Sequence, residues 1–102
     1  MILLVYTLFG SAEAAERAAG QLVAERLAAC ANMLAPCMSF YEWRGEMQRQ
    51  TEFPVLFKTA GDCRDALVAR LGELHDYEVP AIVVMDADAT PGFAQWVSGQ
   101  VG

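Results

Sequence analysis

One short run gathers most of this chain's reactive side chains. His75-Asp76-Tyr77-Glu78 puts an imidazole, a phenol and two carboxylates into four residues, and His75 is the only histidine in the chain. A neutral imidazole beside carboxylates is a mixed N/O donor set, which suits a borderline divalent metal ion. The same run also reads as a solvated loop between a helix and a strand. The three cysteines stand at 30, 37 and 63. Cys30 and Cys37 are seven apart and make no CxxC, so they do not form a zinc-ligand pair, and burial as small apolar residues is the plainer role for them. Lys58, the single lysine, stands beside Thr59. It could hold an anion or join a surface ion pair. Tyr41, Trp43 and Trp96 are either binding-site aromatics or packing residues of a core or subunit contact. Glu42, Glu46 and Glu52 fall on the same stretch as the first two aromatics. No glycine-rich phosphate loop, GxSxG elbow or HExxH pair occurs.

These residues need elements to hold them. Ile2–Leu8 is almost wholly apolar and reads as a strand buried on both faces. Ser11 is an N-cap, and from Ala12 to Ala28 the spacing is helical, with Ala15, Ala18, Ala19, Leu22 and Val23 on one face. A strand over residues 29–34 is interrupted by Pro36. An aromatic strand over 39–44 turns at Gly45, and Glu46–Thr59 returns as a long strand with a bulge at Pro54. Asp62 caps a second helix carrying Leu67, Leu71 and Leu74. Residues 81–85 form another doubly buried strand, and Thr90-Pro91 opens a short terminal helix.

The order βαββαβ with right-handed crossovers gives an α+β, ferredoxin-like sandwich. It consists of an antiparallel four-stranded sheet, both long helices on one face, a long central hairpin and a short C-terminal helix, all in a single domain spanning 1–102. The hairpin is longer than so small a sheet needs, and its edges would stay unpaired unless something covers them. The chain is 55% hydrophobic over 102 residues. Both features predict a homo-oligomer with apolar contacts, in which Phe40 and Trp43 serve assembly more than the subunit fold. Net charge is −6, with seven basic residues against thirteen acidic. That balance excludes a basic stripe for nucleic acid and disfavours an anionic membrane surface. Metal cations or a protein partner fit it better. No run approaches the length of a membrane helix, and no signal peptide is read. An odd number of unspaced cysteines fits a reducing cytoplasm.

Leu27-Ala28-Ala29-Cys30-Ala31-Asn32, Ser39-Phe40-Tyr41-Glu42-Trp43-Arg44-Gly45, Phe57-Lys58-Thr59, His75-Asp76-Tyr77-Glu78-Val79-Pro80 and Trp96 together resemble the divalent-cation tolerance (CutA) family, in its order and spacing. The family has proline between the histidine and the tyrosine. Here Asp76 stands instead, which frees the loop and adds a carboxylate. The resemblance implies a homotrimer similar in architecture to PII-type signal proteins. It also implies tolerance to divalent metals, copper above all, with no enzymatic activity. Cys30 matches the position linked with copper, and the metal would sit at the subunit junction through Cys30, His75 or Glu78. The family's further thiol in the first strand is replaced by Tyr6.

Two alternatives stand beside this reading. One is a PII-like small-ligand signalling trimer using a cleft beside Tyr41, Trp43 and Tyr77. The tight turn at Gly45 leaves no room for the long loop such proteins carry there. The other is a structural or anchoring trimer in which metal binding is incidental. A ferredoxin-like acylphosphatase would need an arginine in the turn Leu8-Phe9-Gly10-Ser11, which has none.

Overall fold

The computed structural model describes all residues 1–102. Strand β1 (Ile2–Phe9) is central, followed by α1 (Ala12–Ala24), β2 (Cys30–Met33), β3 (Cys37–Trp43), β4 (Glu46–Thr59), α2 (Arg64–Leu74), β5 (Ile82–Ala87) and α3 (Pro91–Gln100). The sheet order is β2-β4-β1-β5 with every pairing antiparallel, and β3 pairs with the first half of β4. This is the expected ferredoxin-like arrangement. Its third strand is extended by a two-stranded ribbon, and the molecule measures 45 × 23 × 22 Å.

Alternation along β1 decides what each face meets. Val5 and Phe9 join Val55 and Phe57 of β4 against Ala15, Ala18 and Leu22 of α1 and Leu67 and Leu71 of α2. Both helices therefore cover one face. On the other face α3 covers only one end, where Val97 packs with Ile2 and Ala29. The rest of that face is open, and Val83 and Met85 of β5 are 48% and 42% exposed. Strand β5, expected to be buried on both faces, is thus half-buried on one, through Ile82 and Val84, and exposed on the other in the single chain.

Three local expectations need correction. Helix α1 stops at Ala24, not Ala28. Arg26 adopts φ 62°, and the Leu27 and Arg26 N–H groups donate to the carbonyls of Leu22 and Val23. That is a Schellman end with arginine where glycine is usual. The Arg26 guanidinium in turn donates to the carbonyls of Gly99 and Gly102. Leu27 and Ala28 still pack on the core, so their apolar spacing imitated a longer helix. Asp62 caps nothing. It lies in a 3-10 turn over Gly61–Cys63, and α2 starts without a side-chain cap.

The bulge, finally, is not in β4. Pro54 pairs one-to-one with Leu8. Met33 opposes Val55 and Cys37 opposes Glu52, so residues 34–36 span the gap that Phe53 and Pro54 span on β4. The extra residue belongs to the β2–β3 side. Leu34 N–H donates to the Pro54 carbonyl at 3.0 Å. A residue's N–H and C=O point the same way in a strand, so the donor that proline lacks faces the irregular partner.

Candidate functional site

The ribbon and the 75–81 segment enclose a cleft of about 500 Å³. Its ribbon wall comes from Ser39, Phe40, Tyr41, Trp43 and Glu52, and its far wall from Tyr77, Glu78, Val79 and Ala81, with Leu8 of β1 at the floor. The hairpin places the aromatics. Trp43 and Glu46 pair across a two-residue turn, Arg44-Gly45, with φ of 51° and 83°. Positive φ at both residues marks the turn type that matches strand twist. It keeps the ribbon short-looped, as the sequence predicts.

The loop 75–78 is fastened by hydrogen bonds at both ends. The His75 ring has no exposed surface and stacks on Phe9 at 4.3 Å. Its Nδ1 accepts from the Tyr77 N–H at 3.1 Å, so the ring proton sits on Nε2, which donates to Thr7 Oγ1 at 2.9 Å. Burial holds the His75 pKa below its ordinary value, against an opposing pull from Asp76. The Asp76 carboxylate accepts from the Gly10 N–H at 3.1 Å, just ahead of α1, where the helix dipole favours an anion. Gly10 lets the loop come close. A Cβ on it would lie 3.0 Å from Tyr77 Cε1 and 3.2 Å from Asp76 Oδ2. The residue expected to free the loop instead ties it to the β1–α1 turn.

Inside the cleft the polar groups form one directed chain. Tyr41 donates to Gln50, Gln50 donates to the Tyr77 hydroxyl at 3.5 Å, and that hydroxyl donates to Glu52 Oε2 at 2.7 Å. Burial and then the Glu52 carboxylate push the Tyr77 pKa well up, so the phenol remains a donor. Glu52 is only 6% exposed. At the rim, the Arg44 guanidinium meets Glu78 at 2.9 Å and lies 5.3 Å from the Trp43 ring centre. That ion pair is exposed and contributes little stability.

The cleft therefore unites Phe40, Tyr41, Trp43, Tyr77 and Glu78, while His75 braces it from behind. Cys30, Lys58 and Trp96 lie elsewhere. Cys30 pairs with Lys58, which pairs with Leu4. The Lys58 ammonium sits 5.7 Å from the Phe93 ring centre, and Phe93 stacks on Trp96. Leu4 and Leu8 are four residues apart on β1, about 13 Å at ~3.3 Å per residue. Leu4 and Thr7 point to opposite faces, so Cys30 and His75 do not meet within one subunit. No three His, Cys, Asp or Glu side chains of the chain converge as a metal site. Glu52, Gln50, Thr7 and Gly10 are site residues that the sequence reading does not single out. The one available signal was Glu52 and Gln50 alternating on the face opposite Phe53 and Val55.

A profile of the family described as CutA1 divalent ion tolerance protein matches residues 3–100. The chain belongs to this family. A divalent-cation tolerance protein CutA from Pyrococcus horikoshii is 38% identical over 97 residues, covering 94% of each chain. The solved structure of the divalent cation tolerance protein CutA1 from Thermus thermophilus superposes with TM-score 0.93 at 35% identity over the whole of both chains. A structure named as the periplasmic divalent cation tolerance protein CutA from Archaeoglobus fulgidus gives 0.94 at 30% identity, also over both whole chains. As a CutA1 member this chain shares the fold of these proteins throughout, ribbon and terminal helix included.

Proposed function

We propose that this chain works as a homotrimeric divalent-cation tolerance protein that binds metal ions, copper foremost, and performs no catalysis. Family membership supports the tolerance role. The observation that carries assembly is the open apolar surface. Phe40 is 67% exposed, Val83 48%, Trp96 44% and Trp43 41%, large apolar side chains that gain by being covered. A subunit contact covering the ribbon and the bare sheet face would bury them, and three copies is the number the family resemblance implies.

The metal is cargo in this reading. One subunit supplies too few converging donors, so ligands come from more than one copy. Cys30, half-buried on the edge strand, and the exposed Glu78 are the accessible donors. Both nitrogens of His75 are engaged, so it joins only when the loop releases Thr7. Thiolate, imidazole and carboxylate together suit copper, and a −6 chain raises the local cation concentration. Three unpaired cysteines fit a reducing cytoplasm. Calorimetric titration of copper into the wild type and the C30S/E78Q variant tests the donors. At least about tenfold weaker binding by the variant is expected, and equal affinity rejects the assignment.

A further inference from the structure

We infer that the cleft between the ribbon and the 75–81 segment is a binding site for a small organic cation, an alkylammonium or guanidinium group carried on an apolar body. The reading starts from Glu52. Its side chain is more than nine-tenths buried, yet it makes no ion pair within the chain. Oε2 accepts from Tyr77, and Oε1 accepts from no group of the protein. No buried side-chain oxygen is left without a partner, so Oε1 opens on the cleft that Glu52 lines. One carboxylate oxygen is thus held by Tyr77 and the other faces the cleft with no counter-charge from the chain, which leaves it free to pair with a cation arriving there.

The walls select the kind of cation. Tyr41, Trp43 and Tyr77 supply aromatic rings to the lining, and Leu8, Val79 and Ala81 complete it with apolar side chains. Aromatic faces attract a poorly hydrated organic cation. A bare divalent ion would want more anionic or imidazole donors, and the only carboxylates of the cleft are Glu52 and the rim residue Glu78, with no histidine or cysteine in the lining. The chain already contains an example, since the Arg44 guanidinium lies over Trp43 while paired with Glu78 at the rim. The hydrogen-bond chain from Tyr41 through Gln50 and Tyr77 runs toward Glu52 and fixes its orientation, so the acceptor is preorganised. About 500 Å³ is within the range that holds a small ligand. The site uses neither Cys30 nor His75, shares only the rim residue Glu78 with the divalent-cation reading, and requires that a subunit contact on the ribbon leave the mouth of this cleft open.

The test compares benzylammonium with benzyl alcohol, its neutral counterpart, on the full chain at neutral pH. Binding is followed by calorimetry and by tryptophan fluorescence, in wild type and in W96F so that Trp43 alone reports. Wild type is expected to bind the ammonium at least about tenfold more tightly than the alcohol, and E52Q to bring the two within a few-fold of each other. Native mass spectra of both proteins are recorded alongside, and E52Q is expected to keep the wild-type subunit number. Equal binding of the two probes by wild type, or no binding of the ammonium at millimolar concentration, overturns the proposal without recourse to any variant. A preference that survives E52Q overturns it too. A change of subunit number in E52Q would mean that a basic side chain of a second copy supplies the counter-charge, and the small-ligand site would then be rejected.

Discussion

Replacing Tyr77 by phenylalanine removes one oxygen and leaves the ring in place. That oxygen is the sole donor to Glu52 within the chain, at 2.7 Å, and it also accepts from Gln50. A hydrogen bond to a charged group is worth about 1.5–3 kcal/mol, more than a neutral one, because losing it strands a desolvated charge. Glu52, at 6% exposed, has little water to turn to. Y77F should therefore destabilise the subunit by about 2 kcal/mol. At ~4–8 °C per kcal/mol for a domain of this size, the melting temperature should drop by about 10 °C. The partner experiment replaces the charge. In an E52Q background the acceptor is a neutral amide oxygen, and the same Tyr77→Phe change should cost about 1 kcal/mol less. Denaturant melts of the four proteins, at one fixed protein concentration because assembly shifts apparent stability, give the coupling directly. A Y77F cost under about 0.5 kcal/mol, or a cost unchanged by E52Q, would refute the idea that this phenol serves a buried charge.

Other outcomes follow from the same geometry. Gly10→Ala drives a methyl against Tyr77 and Asp76 and should cost about 1–3 kcal/mol in chemical denaturation; a neutral result would mean the loop yields freely. The His75 pKa is lowered in the folded chain, so below about pH 6.5 the unfolded chain binds a proton that the folded one resists. Stability is then full above that pH and falls as pH drops, by at most about 1.4 kcal/mol per unit. Melts of H75Q from pH 5 to 7.5 should lack this component, and parallel slopes for the two proteins would contradict it. Trp43→Ala should weaken subunit association by about 2 kcal/mol or more while sparing the secondary structure. Sedimentation of an undiminished assembly would contradict that.

Local chemistry made much of the fold legible. Alternation, the Gly45 turn, the Ser11 cap and the Thr90-Pro91 start depend on near neighbours in sequence, and they fixed the element order and the paired ribbon. Where distant elements decide, the residues misled. Leu27 and Ala28 are apolar because they pack on the core, not because they are helical. Pro54 marks an irregular pairing, but the extra residue sits on the opposing strand. Asp76 resembles a loosening substitution until Gly10 is brought against it. Glu52 is one polar position among several on a hairpin, and only the tertiary approach of Tyr77 makes it buried. Cys30 and His75, grouped by chemistry in the sequence, are separated by the sheet itself.

In the function proposed above, copies of this chain cover one another's ribbon and bare sheet face and hold the cation between them. Native mass spectrometry at low protein concentration, with and without copper, tests it most directly. A species of three 11.1 kDa chains that takes up copper is expected. A stable single chain, or one that binds copper as well as the assembly does, would contradict it.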